Sequence, residues 1–222
     1  GNVCGGTVTY TGNIIFTTQA QLDAFVDGIG CKYTEILGDV TLDGNSATDP
    51  ITDLCNLSEI TYISGDLNII QFTDPLNPTD LSDLANLITV GNGSGTDNLI
   101  IGGSAANANS SFTDITLAGL TNLPSGSLTL TNNSNVTSIG FPSLSTISAS
   151  VTINTNGTLI TSMDLSALQT VGDILNLNNA VAHAISVNLD LGDLVSVGND
   201  INIQRTASTI DLSSLTTVTD DL

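Results

Sequence analysis

The residues of this chain best equipped for chemistry are its aspartates, and they recur at fixed places in a repeated phrase. Asp39 and Asp66 each follow a glycine and precede an apolar-polar-apolar triplet, Val40-Thr41-Leu42 and Leu67-Asn68-Ile69. On neighbouring strands such a pair would stand about 5 Å apart, the separation of a retaining glycosidase pair. The same spacing follows from any repeated Gly-Asp, and sugar sites lean on aromatic platforms, whereas this chain has no Trp. A hydrolase is therefore the weakest of the readings. Calcium is the second option, because crowded carboxylates repel unless solvated or bridged by a cation that takes oxygen ligands. Asp39, Asp43 and Asp66 are the candidate ligands at one end, with Asp173 and Asp200 at the other. His183 is the only histidine, and it reads as an exposed loop residue. A Ser-His-Asp arrangement would have to be built on it, and nothing in the sequence marks one. The expectation is a chain that is not an enzyme and needs no cofactor, calcium aside.

The charge balance narrows the partners. The chain has 22 acidic and two basic side chains and a net charge of −20. That field repels nucleic acid and anionic membranes, so neither nucleic-acid binding nor membrane insertion is expected. No apolar run approaches the length of about 20 residues that a transmembrane helix needs.

The elements that must position these residues are repeats. Apolar-polar alternation starts near Val40, Leu67, Leu99, Leu128, Val151, Leu175 and Ile201, at spacings of 23 to 32 residues. Period two puts one face inside and one outside, so the outward positions make a single file: Thr41, Asn68, Ile100, Thr129, Thr152, Asn176 and Asn202. Leu99-Ile100-Ile101 breaks the alternation and would leave Ile100 exposed. A second phrase, the hook, follows each strand: Asp53-Leu54-Cys55-Asn56-Leu57, Asp80-Leu81-Ser82-Asp83-Leu84, Asp164-Leu165-Ser166-Ala167-Leu168 and Asp211-Leu212-Ser213-Ser214-Leu215. Leucines three apart suit a tight 3₁₀-like turn, with the leading Asp capping its free N–H groups. Cys55 takes the hook's serine position, which predicts a small, buried, inert thiol. Residues 91–113, rich in Gly, Ser and Asn, read as a long projecting loop. Asn-x-Ser/Thr triplets at Asn56, Asn92, Asn109, Asn132, Asn135 and Asn156 are about as many as chance supplies in so Ser- and Thr-rich a chain.

Single rungs cannot bury their own apolar side, so stacked rungs share one core. The predicted fold is all-β: a right-handed parallel β-helix, a leucine-rich-repeat-like solenoid of about seven rungs with a short N-terminal capping helix. Leu22, Phe25, Val26 and Ile29 lie at helical offsets behind Thr18, a plausible N-cap. The expected layout is one domain over 1–222, with a cap over 1–32 and repeats over 33–222. Val218-Thr219-Asp220-Asp221-Leu222 opens another strand phrase, so the chain reads as a piece of a longer protein.

Cys4, the helical stretch Thr18 to Asp27, Cys31 and Glu35-Ile36-Leu37-Gly38-Asp39-Val40, with the phrase Ile63-Ser64-Gly65-Asp66-Leu67-Asn68-Ile69, resemble the receptor L domain. That family is the leucine-rich right-handed β-helix of insulin- and EGF-receptor ectodomains, with similar repeats in fungal and bacterial surface proteins. The acidic, Thr- and Asn-rich composition is more like the bacterial kind. The resemblance implies a Cys4–Cys31 disulfide tying cap to first rung, hence an oxidising compartment and a secreted or cell-surface location. It supplies no catalytic residues. The expected function is binding or adhesion to a protein or glycan partner through the outward strand file. The alternative is a purely structural spacer of a larger surface protein. A calcium-dependent or ice-binding module ranks lower.

Overall fold

A computed structural model describes residues 4–154, 156, 160–178, 189–203 and 209–220. They form a parallel β-solenoid with almost no helix. Each turn of the chain gives one short strand to a first sheet, bends at a glycine-rich corner and gives a second strand to a second sheet. It then returns through a third side to the hook. The first sheet runs Thr9–Thr11, Glu35–Leu37, Tyr62–Ile63, Thr89–Val90, Asn122–Leu123, Thr146–Ile147, Thr170–Val171, Ser196–Val197 and Thr217–Val218. The second runs Ile14–Phe16, Val40–Asp43, Leu67–Ile70, Leu99–Gly102, Leu128–Thr131, Val151–Asn154, Leu175–Asn176 and Ile201–Asn202. All pairings are parallel and in register, Thr41 on Asn68, Asn68 on Ile100 and Ile100 on Thr129. The third side is a sheet only in later turns, where Asp114–Thr116, Ser138–Gly140 and Ser162–Asp164 pair.

The seven strand phrases legible in the sequence all lie in the second sheet. An eighth strand, Ile14–Phe16, comes from the segment expected to be a cap, and pairs with Val40–Leu42. Thr9–Thr11 likewise pairs with Glu35–Leu37. Residues before Cys31 thus build a turn of the solenoid as well as closing its end.

The inward residues of the second sheet, Val40, Leu42, Leu67, Ile69, Leu99, Ile101, Leu128 and Leu130, are at most 1 % exposed. Each such side chain contributes about 1.5–3 kcal/mol when fully buried. The hook leucines join them: Leu54, Leu57, Leu81, Leu84, Leu165 and Leu168 are buried. Every hook closes with the same bond, the second leucine's N–H to the carbonyl three residues back, at 2.8–3.3 Å from Leu57→Leu54 to Leu215→Leu212. Leu117–Leu120 and Phe141–Leu144 make the same turn although Thr116 and Gly140 stand where the other hooks have Asp.

The helix spans Gln19–Asp23. Thr18 caps it, and Gln21 returns a bond to the Thr18 N–H. Its last carbonyls, Leu22 and Asp23, accept from the Asn56 amide in the first hook at 2.9 Å. The expected helical face is shorter than the offsets indicated. Leu22 and Phe25 are buried, but Ile29 is 60 % exposed, because the helix has ended and the chain turns at Asp27 to Gly30. Phe25 instead packs with Phe16, Tyr10 and Tyr33, ring centroids 4.6–5.2 Å away.

Residues 91–113 are not a projecting loop. The exposed stretches are confined to residues 92–96 and 104–106, with Thr113 beyond. Leu99–Gly102 is a sheet strand, and Phe112 is fully buried against Phe72, centroids 5.1 Å apart.

Candidate functional site

The outward file is present in register. Thr41, Asn68, Ile100, Thr129, Thr152, Asn176 and Asn202 stand one above another on the second sheet. Ile15, 62 % exposed, extends the file by one position. All seven expected members are half-buried, Ile100 included. That corrects the expectation of an exposed Ile100. Strands about 4.8 Å apart let each outward side chain be flanked by its neighbours above and below, here Asn68 and Thr129. Within the file, the Asn176 Oδ1 atom is buried and takes no hydrogen bond from a described residue. The file is a stiff, lightly polar ridge, with no long flexible side chain to be ordered on binding.

The repeated Gly-Asp has a different role from the one its spacing invites. Asn13 Oδ1 accepts from the Asp39 N–H at 2.9 Å, and Asp39 Oδ1 accepts from the Asp66 N–H at 3.0 Å. Asp66 Oδ1 then accepts from Asn98, and Asn98 Oδ1 from Ser127. Ser127 Oγ accepts from Ser150 and Ser150 Oγ from Ile174. Each side chain satisfies the backbone of the following turn, at the corner where the first sheet gives way to the second. The preceding glycine is required by proximity: a Cβ on Gly65 would collide with Asp39 Oδ1, and one on Gly126 with the Asp97 carbonyl.

The calcium candidates are therefore not assembled as a site. Asp39 also accepts from the Asn13 amide at 2.8 Å, and Asp43 accepts from the Asn45 N–H. Asp173 takes bonds from Ser150 and Asn199, and Asp200 has an interaction of its own. Asp39, Asp43 and Asp66 do not converge. Among the described residues, the one group of three possible ligands within 4.8 Å of each other is Asp53, Cys55 and Asp83.

Cys55 is exposed and free, not buried. In the hook, only the two leucines face the core, and the residue after the first leucine points out. Its backbone explains the leading Asp. Asp53, Asp80, Asp164, Asp190 and Asp211 each accept, through Oδ1, the N–H two residues on, at 2.9–3.1 Å. Where that residue is Ser82 or Ser213, bonds from its backbone and hydroxyl hold the Asp80 and Asp211 carboxyls below the ordinary range. The Cys55 thiol is pushed up, first by its bond to Asp53 and then by the Asp83 charge.

Sequence reasoning missed a second ladder. Asn109, Asn133 and Asn156 are buried, one above another, where the chain leaves the second sheet. Asn109 Nδ2 donates to the Ile69 carbonyl and to Asn133 Oδ1, the latter at 2.9 Å. Asn133 Nδ2 donates to the Ile101 carbonyl and to Asn156 Oδ1 at 2.7 Å. Asn156 Nδ2 reaches the Leu130 carbonyl at 2.8 Å. The separations of 24 and 23 residues matched the repeat and were the available signal.

Cys4 and Cys31 have the geometry of a disulfide, Cα atoms 5.6 Å apart. His183 lies outside the described residues. No helix among the described residues is long and apolar enough to cross a membrane. No family model, curated protein or solved structure matches the chain.

Proposed function

We propose that this is a secreted or cell-surface binding domain without catalytic activity, which meets a protein or glycan partner through the outward file of the second sheet. The observation that carries the reading is the register: eight outward side chains from Ile15 to Asn202 stand on consecutive parallel strands. At about 4.8 Å per strand, such a ridge is about as long as one side of a standard interface. The aspartates that first raised a hydrolase or a calcium centre are occupied as backbone acceptors. The disulfide geometry at Cys4 and Cys31 supports an oxidising compartment.

The test is the double substitution Thr129→Arg with Thr152→Arg, which adds bulk and charge in mid-file and leaves the inward face alone. Wild-type and variant chains are applied to panels of immobilised glycans and surface proteins. The expected result is loss of the wild-type signal with an unchanged Tm. Retained binding would place the contact elsewhere, and a wild type that binds nothing would favour the spacer reading.

A further inference from the structure

The hooks carry an interruption that the strand file does not explain. Asp53 and Asp80 lead the first two, and Asp164, Asp190 and Asp211 lead the last three. Between them the place is taken by Thr116 and Gly140. Beside the first interruption lies a recess of about 260 Å³, lined by Asp80, Leu81, Ala85, Asp114, Thr116 and Ala118, with Ser82 at its edge. It is formed where the Asp80–Leu84 hook meets the strand Asp114–Thr116 of the next turn, held there by the Asp114 N–H on the Thr79 carbonyl at 3.2 Å.

Its chemistry is two-sided. The floor is apolar, from Leu81, the two alanine methyls and Thr116. Ala85 and Ala118 are both exposed, and their short side chains are what leave the space open. The rim carries two carboxylates, each held by one oxygen only. Asp80 Oδ1 accepts from the Ser82 N–H and hydroxyl, at 2.9 and 2.5 Å. Asp114 Oδ1 accepts from the Thr116 hydroxyl at 2.6 Å. Neither Oδ2 takes a hydrogen bond from a described residue. The Ser82 bonds also keep the Asp80 carboxyl ionised to lower pH than usual. The described lysine, Lys32, is committed elsewhere, to the Cys55 carbonyl and the Ser58 hydroxyl.

We propose that this recess is a socket for one basic side chain, lysine or arginine, of a partner protein. Charge complementarity selects the occupant. The alkyl stem lies on the apolar floor, as such stems do on apolar surface, and the cationic head meets the two free carboxylate oxygens. The volume falls below the roughly 300–1,000 Å³ of small-molecule pockets, which suits a side chain better than a free ligand. The net charge of −20 draws a basic partner in before contact is made. The socket is on a different side of the solenoid from the strand file and does not depend on it.

The test uses the whole chain and N-acetyl-lysine-amide, with N-acetyl-norleucine-amide as the uncharged control, followed by amide chemical shifts. The lysine probe should move the signals of residues 80–85 and 114–118, and the norleucine probe should not. Asp80→Asn with Asp114→Asn keeps each Oδ1 acceptor and so keeps the fold. It should weaken the probe about fivefold or more, as expected for two surface ion pairs. Asp190→Asn with Asp211→Asn changes the net charge equally and should leave binding as it was. Ala118→Leu fills the floor without altering charge and should also block the probe. Absence of localised shifts would overturn the socket. So would equal weakening by both Asn pairs, which would mean diffuse attraction to an acidic surface, or a probe indifferent to Ala118→Leu.

Discussion

Two corners of this solenoid solve one problem in opposite ways. Where the first sheet bends into the second, Asn13, Asp39, Asp66, Asn98, Ser127 and Ser150 accept backbone N–H groups in succession at the solvent margin. Where the second sheet ends, Asn109, Asn133 and Asn156 stack inside the core. The outer row mixes carboxylate, amide and hydroxyl, because only an acceptor is needed and water serves whatever is left over. The inner row is amide throughout. Each buried side chain there must both donate to a carbonyl and accept, Asn133 and Asn156 from the amide one turn earlier and Asn109 from the Phe72 N–H, and neutral amides do both without the cost of a buried charge. Burial, not the backbone, sets how much variation each corner tolerates.

Substitutions that break this contrast should differ in size. Asn133→Ala removes the central amide of the inner row, taking from the Ile101 carbonyl a donor, from the Asn109 amide one of its two acceptors and from Asn156 Oδ1 its stronger donor. The expected loss is about 2–4 kcal/mol, since buried groups left unpaired each cost about 1–3 kcal/mol, read as a lower urea midpoint. Asp66→Ala deprives the Asn98 N–H of its acceptor at a half-exposed corner, where water can replace it. About 1 kcal/mol is expected in the same titration. Equal losses from the two variants would remove burial as the distinction. Acid gives the smallest effect. The carboxyls of Asp80 and Asp211 hold their protons less tightly folded than unfolded, owing to the Ser82 and Ser213 bonds. Their stabilisation is whole above the ordinary carboxyl value, about 3.9, and is lost as pH falls through the lower folded value. Ser82→Ala with Ser213→Ala should flatten that part of a Tm-against-pH curve, and an unchanged slope would locate the acid sensitivity elsewhere.

The sequence disclosed the inner face of the fold most clearly, because alternation and hook leucines report burial residue by residue. Those two patterns alone put Leu165, Leu168, Val151 and Ile153 inside, where they are buried. Ile14–Phe16 escaped notice since Ile14-Ile15-Phe16 does not alternate, its outward Ile15 being apolar. The buried asparagines were hidden for a related reason: polar residues are read as surface until a partner one turn away is known. Cys55 was misplaced by its small size, although its hook position, shared with Ser82 and Ser166, pointed outward. For the candidate site, the file followed directly from period two. The recess at Asp80 and Asp114 did not, because it joins residues 34 apart on neighbouring turns and depends on two alanines being small.

The Cys4–Cys31 link has a mechanical consequence. A force that stretches the chain from its N-terminal side meets this link first. Tension entering at Cys4 passes through sulfur to Cys31 and bypasses the strands Thr9–Thr11 and Ile14–Phe16 and the helix between them and Cys31. The stretch from Cys4 to Cys31, a sequence separation of 27, holds about 90 Å of contour length that a pulling experiment would release only after reduction. One crosslink thus shields the first turn from load for as long as it stays oxidised.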